Sequence, residues 1–348
     1  MPLASAALPL AAGRSRLGLM ALLAALALTG FAASAAMAGE IRDFAFFSPA
    51  LGKAQSARVY VPTGQAPAGG WPVLYLLHGL GGNAYDWQRA GGIDATLDRM
   101  IAAGEIRPLL VVMPDANDSW YVDSAEVGGP GNYATLISSD LPDAVEKAFP
   151  VGRDLAHRAI AGLSMGGAGA LRLALTLPER YGAVAALSPA IWQNVPAEDF
   201  GKSAAELAVI RDSRYFHRID PDTIGTGIDI PPEGLHFGGA FGTPFQPQRF
   251  NASNVFTLLS QAIAAKASLP PIFVTVGDDD SHLLWRGGIA FFETMRADDR
   301  PMEFRMTDGD HSWDLWRVSI VDALRFIDAS IDRPAVAGPS DPPPLAPE

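Results

Sequence analysis

The chain has 348 residues, about half of them hydrophobic, and a formal charge of −12. That length buries a large core within one α/β domain, and an acidic chain with no Lys/Arg cluster lacks the electrostatic footprint that holds a phosphate backbone, which argues against a nucleic-acid partner. There is no cysteine, so disulfides, thiolate metal sites, a cysteine nucleophile and lipid attachment to a cysteine are excluded.

In chain order, Arg14 and Arg16 precede an apolar run from Leu17 to Leu28, then small residues ending in Ala36-Met37-Ala38. This three-part layout predicts a signal peptide over 1–38, cleaved to leave Gly39 first, and an exported, periplasmic or extracellular protein. The apolar run falls short of the roughly 18–20 residues that span a bilayer, so no stable membrane span is expected after cleavage. One folded domain is expected over 39–332. Beyond it, 333–348 holds six prolines and almost no large apolar residue. Such a segment buries too little surface to offset the entropy of ordering and is expected to be a disordered tail.

Between these ends, short Val, Leu and Ile runs alternate with longer stretches of helical period. The pattern predicts an α/β fold with a mainly parallel sheet and helices on both faces. Strands are predicted at Arg58–Val61, Pro72–Leu77, Leu109–Met113, Arg158–Leu163, Ala183–Leu187, Pro271–Val276 and Met302–Met306. Helices are predicted near Ile93–Ala103, Ala134–Ala148, Gly166–Leu177, Val255–Ala265, Gly287–Arg296 and Trp313–Asp332. About 188–253 breaks the alternation with scattered Gly, Pro and aromatic residues, and reads as an insertion over the active site.

The candidate chemistry falls where strands end. Gly162-Leu163-Ser164-Met165-Gly166-Gly167 sits between an apolar strand and a helix-forming run. A sharp strand-to-helix turn forces its central residue into a strained backbone, and flanking glycines remove the Cβ atoms that would collide. Ser164 is therefore the candidate nucleophile. The strand Pro72–Leu77 ends in His78-Gly79-Leu80-Gly81-Gly82, a small-residue turn able to aim an amide from Leu80 or its neighbours, with that of Met165, at an oxyanion. His78 precedes the serine and is assigned to fixing this turn.

In folds of this type the triad runs serine, acid, histidine. Pro271–Val276 leads into Gly277-Asp278-Asp279-Asp280, and Met302–Met306 into Gly309-Asp310-His311. Of the six histidines, only His311 follows the right strand, so it is the expected general base. The acid stays open among Asp278, Asp279 and Asp280. Asp310 competes poorly, because a sequence neighbour of the base rarely has the geometry to orient it. Trp87, Trp120, Tyr121, Trp192 and Trp285 are the candidates to line the substrate pocket, against a plainer reading as packing. No carboxylates pair with histidines at a ligand spacing, so neither metal nor cofactor is expected.

With these residues assembled, the chain resembles the α/β-hydrolase esterase family that includes S-formylglutathione hydrolases, feruloyl esterases, siderophore esterases and the antigen 85 mycolyltransferases. His78–Gly82, Gly162–Gly167, Gly277–Asp280 and Gly309–Trp313 carry the resemblance, with Ser119–Ser124 matching a family loop. The resemblance implies Asp280 as the acid, with Asp279 in reserve, and the amides of Leu80 and Met165 as the oxyanion donors. It also implies a serine carboxylic-ester hydrolase whose partner is a small-molecule or glycan-linked ester, and the expected signal peptide makes it a secreted one. Acyl transfer to a sugar or lipid alcohol is the first alternative, and a non-catalytic binding protein the second. The sequence leaves the ester and the oligomeric state unread.

Overall fold

The computed structural model describes residues 38–202 and 237–331. Residues 1–37 of the expected signal peptide, the expected tail over 333–348 and the middle of the expected insertion, 203–236, lie outside the described residues.

Eight strands form one sheet: β1 (Glu40–Ser48), β2 (Lys53–Val61), β3 (Val73–Leu77), β4 (Leu110–Pro114), β5 (Arg158–Leu163), β6 (Ala183–Leu187), β7 (Ile272–Gly277) and β8 (Glu303–Thr307). Their spatial order is β1-β2-β4-β3-β5-β6-β7-β8. The strands from β4 through β8 pair in parallel, while β1 and β2 form an antiparallel hairpin that joins the edge of β4. Strands β3 to β7 are buried along their whole length, as continuous apolar runs covered on both faces must be.

Alternate residues of these strands feed two cores. On one face Leu74, Leu76, Ala159, Ala161 and Phe273 meet α1 (Ile93–Ala102) and the C-terminal helix Trp313–Ser330. On the other, Tyr75, Leu77, Ile160, Val184 and Val274 meet helices α2 (Leu141–Ala148), α3 (Met165–Thr176), α4 (Val255–Ala264) and α5 (Trp285–Ala297). The C-terminal helix is α6. This is the expected α/β architecture with helices on both faces. Among the described residues no helix is long and apolar enough to cross a membrane.

Three local departures have physical reasons. Strand β1 was not expected, and β2 begins five residues earlier than expected. Charges at Glu40, Arg42 and Asp43 interrupt the apolar run of β1, which buries only Phe46 and Ser48. The helix expected over Ala134–Ala148 instead passes through a π-helical turn at Leu136–Asp140 before α2. Pro142 has no N–H for the carbonyl of Ser138, so a regular ladder is broken at that point. Asp140, at the end of the turn, accepts hydrogen bonds from Ser48 Oγ (2.5 Å) and the Ala50 amide (2.9 Å), tying the β1–β2 hairpin to the helix layer.

Helix α3 is buried from Met165 through Leu175. Its glycines allow that approach: a Cβ on Gly166 would lie 2.6 Å from the His78 carbonyl oxygen and 2.7 Å from that of Leu77, both backbone atoms that cannot swing away. Gly166→Ala is expected to destabilise the protein by about 1–3 kcal/mol through overpacking. Denaturant unfolding checks this, and an unchanged midpoint would contradict the tight contact of α3 with the end of β3.

Candidate active site

Ser164 sits between β5 and α3 with φ 52° and ψ −118°. Such a conformation costs a non-glycine residue about 1–3 kcal/mol and persists only where the surroundings over-determine it. Here three backbone bonds do so. The Ser164 amide donates to the Leu187 carbonyl (2.9 Å), and its carbonyl accepts from Ala168 (3.0 Å) and Ala190 (3.0 Å). The glycines supply the room, since a Cβ on Gly162 would lie 2.5 Å from the Gly166 backbone. The half-buried serine side chain thus stands at the N-terminus of α3, the positive end of its dipole.

The residues that the sequence placed on separate strands meet here. Ser164 Oγ donates to His311 Nε2 (3.0 Å), and His311 Nδ1 donates to Asp280 Oδ2 (2.9 Å). Of the three adjacent aspartates, Asp280 alone is buried, at 1 % exposure, and its second oxygen accepts from the His282 amide (2.9 Å). Asp278 and Asp279 are exposed, and lie with Asp308 at the surface. Asp310 is not the partner of the imidazole. Its Oδ1 accepts from the amides of Ser281 (2.7 Å) and His311 (2.6 Å), binding the acid loop to the base loop. Partial burial pushes the Asp310 carboxyl up, but those two amides, with the Ser281 side chain and the nearby His311, together hold it below the usual range.

The turn after β3 lies alongside. A Cβ on Gly79 would be 3.5 Å from Ser164 Cβ. Gly81 donates to Asp118 Oδ1 (2.6 Å) and Gly82 to the Gly79 carbonyl (3.1 Å), whereas the amides of Leu80 and Met165 have no acceptor among the described residues. Two unspent donors beside a serine hydroxyl suit a developing oxyanion. His78 has the structural task expected of it: Nδ1 is 2.8 Å from the Gly79 carbonyl and Nε2 accepts from the Ala116 amide (3.0 Å). Burial pushes its pKa down, which keeps it neutral for both contacts.

The five aromatic candidates divide. Trp87 is core: its indole donates to the Leu77 carbonyl (3.0 Å) and its ring meets Trp313 edge-on. Tyr121, also fully buried, donates its hydroxyl to the His78 carbonyl (3.0 Å) and so supports the turn. Trp120 and Trp192 are buried in an aromatic cluster with Phe237, Phe241, Phe245 and Phe250, rings 5.0 to 6.4 Å apart, which packs the described ends of the insertion onto the loop after β4. Trp87 and Tyr121 turn inward because an indole or phenol can reach a backbone acceptor there while burying its ring, and Trp120 and Trp192 because they pack against other rings. Trp285 is the one of the five that stays half-exposed, with the Arg286 guanidinium over its ring. A cavity of about 460 Å³ between β8 and α6 backs onto the base loop but does not reach Ser164.

Two residues by the base were missed in the sequence. Trp316 and His282 each meet the His311 ring at right angles, with centroids 4.9 Å away. Trp316 lies five residues after the base on α6, and its indole donates to Ser188 Oγ (3.3 Å). A tryptophan five residues beyond the base was the available signal.

The family model described as "Putative esterase" matches residues 48–327. The chain belongs to this esterase family. An endo-1,4-beta-xylanase/feruloyl esterase of Xylanibacter ruminicola is 35% identical over 151 residues, 41% of this chain and 21% of that protein. The chain therefore spans about a fifth of that relative's length. The S-formylglutathione hydrolase of Paracoccus denitrificans is 31% identical over 214 residues, covering 56% of this chain and 72% of that enzyme. Among solved structures, a fluorophosphonate-binding serine hydrolase of Staphylococcus aureus superposes with a TM-score of 0.62 at 20% identity, over 84% of this chain and 99% of that one, a likeness of fold. The fold is the α/β-hydrolase fold, and family and relatives together support a carboxylesterase.

Exchange of each aspartate for Asn separates the acid from its neighbours. Asp280→Asn is expected to lower kcat/KM on a short ester by about a thousandfold or more, since the amide disfavours the needed His311 tautomer. Asp278→Asn and Asp279→Asn are expected to stay within about threefold of wild type. Steady-state kinetics of the three variants decides this, and a milder effect at Asp280 than at either neighbour would overturn the assignment.

Proposed function

We propose that the protein is an exported serine carboxylesterase acting through an acyl-enzyme on Ser164. The unbroken hydrogen-bond chain from Ser164 through His311 to the buried Asp280 carries this reading. Ser164 Oγ attacks the ester carbonyl carbon as His311 Nε2 takes its proton, and Asp280 stabilises the imidazolium that results. The carbonyl oxygen, now an oxyanion, is received by the amides of Leu80 and Met165. Collapse of the tetrahedral intermediate breaks the bond to the alcohol, which leaves with the proton from His311. Water then attacks the acyl-enzyme, giving its proton to His311, and the acid departs as Ser164 regains its hydrogen. Every step uses a group of this chain or water, so the reading needs no metal or cofactor. Relatives named feruloyl esterase and acetyl esterase support feruloyl and acetyl esters as candidate substrates.

Wild-type protein is expected to take up a fluorophosphonate at Ser164 and to hydrolyse short p-nitrophenyl esters. Ser164→Ala should abolish labelling, and Ser164→Ala and His311→Ala should each lose about a thousandfold or more in turnover. Turnover by Ser164→Ala equal to wild type would sink the proposal.

Export is the second element of the reading, and the chain just after the expected cleavage point suits a new terminus. The Gly39 amide donates to Asp98 Oδ1 (2.7 Å), which also accepts from the Tyr60 hydroxyl (2.7 Å). In a processed chain the Gly39 ammonium would face that carboxylate. A Cβ at this position would lie 2.3 Å from the Tyr60 ring, so glycine fits where a larger residue would not. N-terminal sequencing of protein recovered outside the cytoplasm is expected to begin at Gly39, whereas recovery with residues 1–38 attached would contradict export with cleavage.

A further inference from the structure

His282 follows Asp280 by two residues, and its backbone amide occupies the carboxylate oxygen that His311 leaves free. This holds its imidazole against the base, the two rings perpendicular at 4.9 Å. The residue is half-buried, yet among the described residues neither ring nitrogen has a hydrogen-bond partner, and neither is sealed from solvent. Burial, and then the neighbouring His311, push its pKa below the ordinary histidine value. At neutral pH the ring is therefore uncharged, with one nitrogen donating and the other accepting.

Chemistry says which part of a substrate this ring meets. His311 returns its proton to the leaving oxygen, and of the two rings that flank it Trp316 is buried against Ser188, so the half-exposed His282 is the one that the alcohol half of an ester can reach. A plain alkyl alcohol settling there would strip water from the His282 nitrogens and offer nothing in return. A hydroxyl near the ester oxygen would replace the lost water. Discrimination by an otherwise unpaired polar group is the strong kind that a site can build.

We propose that His282 is a specificity-determining residue for the alcohol half of the ester, selecting leaving groups that carry a hydroxyl close to the ester oxygen, as sugars and polyols do. The proposal rests on the reading of Ser164 as nucleophile and His311 as base.

The test uses the mature wild-type protein, His282→Phe and His282→Asn with two acetates. One is a monoacetylated methyl xylopyranoside with free neighbouring hydroxyls, the other cyclohexyl acetate. Phenylalanine keeps a ring against His311 and the backbone bond to Asp280 but removes both polar atoms, and asparagine restores a donor and an acceptor. The wild type should prefer the sugar ester in kcat/KM. His282→Phe should lower the ratio of the two kcat/KM values by about tenfold or more, and His282→Asn should recover part of it. An equal loss on both esters would reduce His282 to packing against the base and overturn the proposal, as would an unchanged ratio or a wild-type preference for cyclohexyl acetate. Fluorophosphonate labelling of Ser164 is read in parallel. Unlabelled wild type would refute the nucleophile itself, whereas labelled wild type with an unmoved ratio would refute His282 alone.

Discussion

The site depends on one strained residue. Ser164 holds a positive φ that its chemistry disfavours, and it is kept there by bonds to Leu187, Ala168 and Ala190 and by the absence of side chains at Gly162 and Gly166. Releasing that backbone would withdraw the hydroxyl from His311 and turn the Met165 amide from its position after the bend. The strain, of about 1–3 kcal/mol, is small against the burial of β5 and α3 on both sides, where almost every side chain is in the core. The parallel neighbour β6 helps to make the turn sustainable, because the Leu187 carbonyl at its end accepts the Ser164 amide.

The acid and base are held by a second arrangement, in which two loops become one unit. Gly277 and Gly309 touch so closely that a Cβ on the first would lie 2.0 Å from the carbonyl oxygen of the second. Asp310 then bridges Ser281 and His311, and the Asp279 amide donates to the Gly309 carbonyl (3.2 Å). Because β7 and β8 are paired in parallel, their ends and therefore these loops lie side by side. The imidazole is walled by Trp316 and His282, which limits its rotation to the line joining Asp280 and Ser164. Preorganisation of this kind removes the need to reorient groups during reaction.

Much of this was legible before any coordinates. The buried strands announce themselves as runs rich in Val, Leu, Ile and Ala, and the order of Ser164, an aspartate and His311 follows from which strand precedes each. The choice among Asp278, Asp279 and Asp280 was not legible from spacing alone, because burial of one carboxylate depends on how the β7 loop folds against Gly309. Family resemblance pointed to Asp280, and the geometry places that residue against the imidazole. The hairpin strand β1 escaped notice because a half-exposed edge strand carries charges where a buried one carries Val. Trp87 and Tyr121 show the limit most clearly: an aromatic near the site has the same letter whether it faces the cleft or a backbone carbonyl beneath it.

The central claim is that Ser164 and His311 act as one unit. Turnover of a p-nitrophenyl ester by Ser164→Ala, by His311→Ala and by the double variant tests this directly. The account predicts that the double variant loses no more than about threefold beyond the worse single variant, as residues of one catalytic unit do. Losses that multiply, with each substitution exerting its full effect in the absence of the other, would contradict it.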